Sequence, residues 1–300
     1  MASLKEIKSQ IAGVKKTKQI TRAMNMVAAS KLRGAQSAMD AFRPYAEKFA
    51  EVLGNIAEKT TDETSPLLIP KEEVNNVHVV MLTSDRGLCG GFNTHLIEKT
   101  EAFVEEQKGR GVNVSMTNFG KKGRDWARKE KLTIVEQYLD VIGAKFGFAT
   151  ASSTGEKLIE GFLYNDYDEV HIVYSEFRSM SNQVPLIKQL LPITALEVPE
   201  EIKPKEKPES TRYLPEHICE PSADDLLNIM LPRSIYIQIY HALLETSTSE
   251  HAARMRAMDN ATKACDDMIE SLTLTFNKAR QQSITMELMD IVGGAEALRG

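Results

Sequence analysis

The stretch of this 300-residue chain that most suggests chemistry is Ser84-Asp85-Arg86-Gly87-Leu88-Cys89-Gly90-Gly91-Phe92-Asn93. A glycine-rich turn between a strand and a helix can cradle a phosphate, because its backbone N–H groups converge at the positive end of the helix. Gly87, Gly90 and Gly91 do not match GxGxxG, however, and GxxxxGK[ST] occurs nowhere. Tight turns at strand ends need glycine on steric grounds alone. The residues therefore read first as a structural turn and second as a nucleotide site.

Other chemistry is absent from the pattern. His78, His95, His171, His217, His241 and His251 show no ligand spacing, and no Ser/His/Asp order stands out. Three cysteines, Cys89, Cys219 and Cys265, lack CxxC spacing, which argues against a zinc site or a disulfide framework and fits a reducing cytosol. No catalytic residue, cofactor or metal site stands out from the pattern.

Charge is uneven. Net charge is −5, yet residues 1–35 hold eight Lys and Arg against Glu6 alone, a local +7. The basic end should meet something acidic. Nucleic acid is a poor candidate, since those charges flank an apolar seam without interleaved aromatics. No apolar run approaches 18 residues, and no secretory h-region opens the chain.

The elements that must present these residues fall into three parts. At the N-terminus, Leu4, Ile7, Ile11, Val14, Ala28, Leu32, Ala35, Met39, Phe42, Ala46, Phe49, Leu53 and Ile56 recur at spacings of 3 and 4, the seam of a coiled coil. Between Lys18 and Asn25 the register breaks, and Ile20, Met24 and Val27 turn the apolar stripe toward a different neighbour. Pro44 should kink this helix without ending it, whereas Gly54 and Thr60-Thr61-Asp62 mark its end.

Residues 75–197 alternate apolar runs and amphipathic stretches. Strands are expected at Val77–Leu82, Val112–Phe119, Thr133–Gln137, Val170–Tyr174 and Pro185–Leu191, with helices at Asn93–Lys108, Gly120–Lys129 and Thr150–Tyr164. That alternation predicts a doubly wound, Rossmann-like α/β domain with a largely parallel sheet. Residues 198–221 are charged and proline-rich and read as a linker or loop. Ser222 with Asp225 is a helix-start signal.

From Arg233 to Val292 there are 60 residues without glycine or proline. After Pro232 this predicts one helix of roughly 90 Å. Its seam is expected at Ile235, Ile239, Ala242, Met258, Ala261, Cys265, Met268, Leu272, Ala279, Met286 and Met289. The whole then reads as a long antiparallel coiled coil of N-terminal (1–58) and C-terminal (222–300) helices with an inserted α/β domain.

Three segments together resemble a known family: Ile7–Ala35, Ser84–Asn93, and the end of the long helix with Ser249–Thr262 and Ile284–Ala297. They are similar to the gamma subunits of bacterial F-type ATP synthases, over essentially the whole length. The resemblance implies a non-catalytic rotor shaft that couples proton-driven rotation of the c-subunit ring to conformational cycling of catalytic beta subunits. Implied partners are three alpha and three beta subunits, epsilon and the c ring, at the cytoplasmic face of the bacterial membrane, peripherally, with membrane contact only through the c ring. The family's contacts with beta map onto Met24, Arg254, Gln281, Thr285 and Glu287. An apolar bearing tip maps onto Met286, Leu288, Met289, Ile291 and Val292. Tyr213, Glu216, His217 and Glu220 fall near the foot that meets the c ring and epsilon. Without the resemblance, two other readings stand: a freestanding coiled-coil scaffold with an α/β recognition domain, and a nucleotide-binding enzyme built on the glycine-rich turn.

Overall fold

The computed structural model describes residues 4–57, 65–144, 146–193 and 222–297. It contains two compact units, one formed by residues 1–29 with 254–300 and the other by residues 30–253. Both terminal helices, α1 (Leu4–Ala57) and α5 (Ala223–Ala297), contribute to each unit.

In the larger unit, five strands form one sheet: β1 (Asn76–Leu82), β2 (Asn113–Phe119), β3 (Thr133–Tyr138), β4 (Glu169–Phe177) and β5 (Gln183–Leu191), in the order β3-β2-β1-β4-β5. The first four are parallel, and β5 returns antiparallel along β4. Helices α2 (Phe92–Gly109), α3 (Lys121–Lys129) and α4 (Phe148–Leu163) supply the crossovers. Every strand and helix expected between residues 75 and 197 is present, with ends displaced by three residues at most. This is the mixed α/β class anticipated, with long helices at both chain ends.

Strand periodicity divides the core. Val77, Val79 and Met81 pack with Leu96 and Val104 of α2 and Ala127 of α3. On the opposite face Val80 and Leu82 join Phe119, Leu158 and Phe162 of α4, and a stripe of α5, Leu227, Leu231, Ile235, Ile239 and Leu243. Spacing by four keeps that stripe on one side of the helix. Helix α1 runs antiparallel to α5 in this unit: Phe42 meets Tyr240 edge-on at 4.8 Å, while Ala46 packs with Ile237.

Asp168 ties the start of β1 to β4. Its carboxylate accepts the backbone N–H groups of Asn75 and Asn76, both at 2.8 Å, and the Lys71 ammonium at 3.0 Å. Although partial burial opposes ionisation, these donors hold its pKa below the usual carboxylate value.

Three expectations need correction. Helix α5 begins at Ala223, where the Ser222–Asp225 signal placed a start, and runs through Pro232 instead of beginning after it. The Ser222 hydroxyl accepts the Asp225 N–H at 3.1 Å and donates to the Asp225 carboxylate at 2.6 Å, so the helix starts at its cap and absorbs the proline. Gly54 lies inside α1, which continues to Ala57, because Leu53 and Ile56 anchor the last turn in the core. Three expected seam residues of α5 face outward: Met268 is 53% exposed, with Ile269 in its place on the inward stripe, and Met286 and Met289 are 67% and 70% exposed. That stripe runs Met258, Thr262, Cys265, Ile269, Leu272, Phe276, Ala279 and Ser283, alternating steps of four and three.

Gly120 offers a test of the sheet's geometry. Its φ is +91°, and a Cβ there would fall 2.0 Å from the Thr83 carbonyl oxygen. Gly120→Ala should therefore destabilise the chain by at least about 3 kcal/mol. A urea-unfolding midpoint equal to that of the unsubstituted chain would contradict this.

Candidate functional site

The glycine-rich turn is closed on itself. Ser84 donates its N–H to Asn93 Oδ1 at 3.0 Å, and Asn93 Nδ2 returns a bond to Ser84 Oγ at 2.8 Å. Cys89 is buried, and the Phe92 N–H goes to its carbonyl at 3.3 Å. Leu88 and Gly90 have φ of +66° and +59°, and a Cβ on Gly91 would meet the His95 ring at 2.8 Å. The glycines serve the turn. Open α/β sheets bind ligands outside the strands' carboxyl ends where strand order reverses, which here is between β1 and β4. That position is taken by α5.

It is taken through an unusual segment. Glu245-Thr246-Ser247-Thr248-Ser249-Glu250-His251 is polar at seven consecutive positions, and every one is at most 5% exposed. Buried polar groups need partners, and most of these find theirs on the α/β layer. β1 pairs with β4 only as far as Val173, while β5 covers the other side of β4 out to Phe177. The uncovered edge of β4 bonds instead to α5. Phe177 N–H donates to Glu245 Oε2 at 2.5 Å, Ser175 N–H to Thr246 Oγ1 at 3.4 Å, and Ser249 Oγ donates to the Ser175 carbonyl at 3.1 Å. Ser247 Oγ reaches the Ile142 carbonyl at 3.0 Å. Sequence reading passed over this belt. The signal was the gap in the seam between Ala242 and Met258, filled by Ser and Thr, which are weak formers of helix interiors.

Glu245 also borders a cleft of about 400 Å³ lined by Arg43, Ala46, Arg178 and His241. Burial, reinforced by Glu176, pushes its carboxyl up to about 7 against the opposing pull of the Phe177 N–H and Arg43. Burial, with help from Lys188 and Arg43, lowers His241 to about 4, so its 3.6 Å approach to Glu245 is no ion pair at neutral pH.

In the smaller unit α1 and α5 again run antiparallel, and several of their cross-helix contacts are polar. Lys18 pairs with Asp266, Thr21 Oγ1 lies 2.8 Å from Thr262 Oγ1, and Asn25 Nδ2 donates to the Met255 carbonyl at 2.8 Å. Ile20 and Val27, expected on a phase-shifted stripe, are 60% and 59% exposed. The expected register break is absent: the inward stripe of α1 steps by four and three through Val14, Lys18, Thr21, Asn25 and Ala28, with polar residues filling the seam, and Ile20 and Val27 are exposed because they lie off it.

The family-mapped residues separate into two levels. Met24 is half-buried on α1, one residue from the Asn25 bond to Met255, so it lies level with the half-buried Arg254. Gln281, Thr285 and Glu287 are exposed roughly 40 Å further along α5. Gln281 and Thr285 line an open groove of about 810 Å³ with Met286 and Leu4. Met286, Leu288, Met289, Ile291 and Val292 are each at least 57% exposed. Tyr213, Glu216, His217 and Glu220, like the linker 198–221, lie outside the described residues. Among the described residues there is no group of three or more His, Cys, Asp or Glu that could hold a metal, and no helix long and apolar enough to cross a membrane.

The raised carboxyl gives a pH test. The folded chain holds the Glu245 proton up to about pH 7, whereas the ordinary value for the group is 4.5. Stability thus falls as pH rises between those values, and the penalty is complete above 7. Glu245→Gln keeps an acceptor for Phe177 without the charge. It should raise stability on the order of 2 kcal/mol at pH 8 and leave it nearly unchanged at pH 4.5. Thermal unfolding across that range should show the two melting curves converge in acid; a constant offset would contradict the assignment.

Comparison with known proteins agrees with this architecture. A family model described as ATP synthase matches residues 3–298. The chain is 61% identical to the ATP synthase gamma chain of Desulfosudis oleivorans, over all of both chains, and 59% identical to that of Desulforapulum autotrophicum, over 99% of this chain and 100% of the relative. Among solved structures, the rotor of Euglena gracilis mitochondrial ATP synthase superposes with a TM-score of 0.61 at 20% identity, covering 94% of this chain and 98% of that one. The chain belongs to the ATP synthase gamma-chain family, the family of the enzyme's central-stalk subunit.

Proposed function

We propose that this chain is the rotor shaft that couples ion-driven rotation of a c-subunit ring to conformational cycling of three catalytic beta subunits, and that it performs no bond chemistry itself. In this reading residues 75–197 form the foot, beside epsilon and on the c ring. Residues 1–58 and 222–300 form the shaft within a ring of three alpha and three beta subunits. The complex would lie on the cytoplasmic face of the bacterial cell membrane, touching it only through the c ring.

One observation carries the proposal. From Arg254 onward, Met258 is the sole fully buried side chain among the described residues of α5, and the apolar tip from Ile284 to Val292 is bare. Exposed apolar surface on that scale marks an interface. An interface containing a turning shaft favours non-directional apolar contact, since hydrogen bonds would pin it in one orientation. Glu287 and Asp290 are the only charges between residues 284 and 292. Met24, Arg254, Gln281, Thr285 and Glu287 are the proposed contacts with beta, at two levels of the shaft.

The energies suit such a role. One charge crossing 100 mV is worth about 2.3 kcal/mol. A few protons at roughly 200 mV therefore deliver more than 10 kcal/mol per turn-over of one catalytic site. Two helices locked by a polar and apolar seam resist twisting better than one.

The chain should co-purify with alpha, beta and epsilon. Arg254→Ala and Gln281→Ala should each reduce proton-coupled ATP synthesis severalfold in membrane vesicles. Normal coupling in both variants would overturn the assignment of those contacts.

A further inference from the structure

Apolar packing between α5 and the sheet is non-directional. On its own, the stripe from Leu227 to Leu243 could slip or roll against the sheet under load. The bonds at the end of β4 differ in kind. They join side chains of α5 to main-chain groups of a strand that is itself held on its other side by β5. Three consecutive turns of α5 are not needed; Glu245, Thr246 and Ser249 all reach the same four-residue overhang. Thr248 is the informative contrast, because its equally buried hydroxyl bonds only to the Leu244 carbonyl of its own helix, at 2.8 Å.

We propose that Glu245, Thr246 and Ser249 form the joint through which rotation of the α/β domain enters helix α5, acting as a substitute for β1 along the free edge of β4. This assignment rests on the rotor reading above. Rotation of the sheet about the helix axis pulls against directional bonds to Ser175 and Phe177. The load then passes along the continuous helix, which runs to Ala297. The three are positioning residues, since their bonds go to the main chain of β4 within this chain. The polar belt accordingly persists in a place where an apolar helix face would pack at lower cost of desolvation.

The test uses the assembled ATP synthase in membrane vesicles and reads protons pumped per ATP hydrolysed. The double variant Thr246→Val/Ser249→Ala should lower that ratio at least twofold while the hydrolysis rate and the amount of this chain in the complex stay unchanged. Thr248→Val should leave the ratio as it was. An unaltered ratio in the double variant, or an equal loss in Thr248→Val, would overturn the proposal. Should the double variant fail to assemble, the comparison of Glu245→Gln with Glu245→Ala decides. Gln keeps an acceptor for the Phe177 N–H and should preserve the ratio, whereas Ala should lower it; equal ratios would overturn the joint. The rotor reading fails by a separate result: a bead fixed to this chain in the unsubstituted complex that does not turn relative to the alpha–beta ring during ATP hydrolysis.

Discussion

A 75-residue helix cannot be covered by the rest of a 300-residue chain, and the other features follow from how that shortfall is managed. Along Leu227–Ala252 the sheet and its helices bury α5 on one face and, at the polar belt, on all sides. Beyond Arg254 its cover among the described residues is α1, which reaches only a narrow heptad stripe. The surface left over is too large and too apolar at its tip to be a solvated face. It calls for a sleeve supplied by other chains, and that requirement joins this fold to a shaft's work.

The two regions solve opposite problems with different interactions. In the α/β unit, slippage must be prevented, and the helix is held by hydrogen bonds to a strand edge. In the paired-helix unit, polar cross-links at Thr21–Thr262 and Asn25–Met255 hold the two helices to each other. The apolar side chains at Ile20, Val27 and the tip face outward. Hydrogen bonds thus join the two helices to each other, while the exposed tip from Ile284 to Val292 is mostly apolar.

Much of this was legible in residue order. The strand and helix alternation, the seam of α1 and the absence of glycine and proline from 233 to 292 fixed the element order. The break in the apolar pattern at Lys18–Asn25 was misleading, because the seam continues through Lys18, Thr21 and Asn25 as polar cross-helix contacts. What escaped was context-dependent. Pro232 looked like a boundary despite the start signal at Ser222, because whether a helix survives a proline depends on how Leu227, Leu231 and Ile235 pack against distant segments. Met268 and Ile269 are adjacent apolar residues, and only the partner helix decides which faces inward. The belt of residues 245–251 is polar throughout, and its burial depends on the sheet. Its partners, Ser175 and Phe177, lie about 70 residues away, and nothing local announces an uncovered strand edge. The contact residues Arg254, Gln281 and Thr285 came from resemblance alone, since each looks locally like plain helix surface.

The account stands on α1 and α5 moving as one body. Thr21 and Thr262 face each other closely enough for a direct test: Thr21→Cys with Thr262→Cys, in a Cys265→Ser background, within the intact synthase. Oxidation should form an α1–α5 disulfide in nearly every complex while ATP-driven proton pumping continues at close to the reduced rate. Failure of the pair to cross-link, or loss of pumping that returns on reduction, would show that the two helices are apart or must slide past each other as the enzyme works.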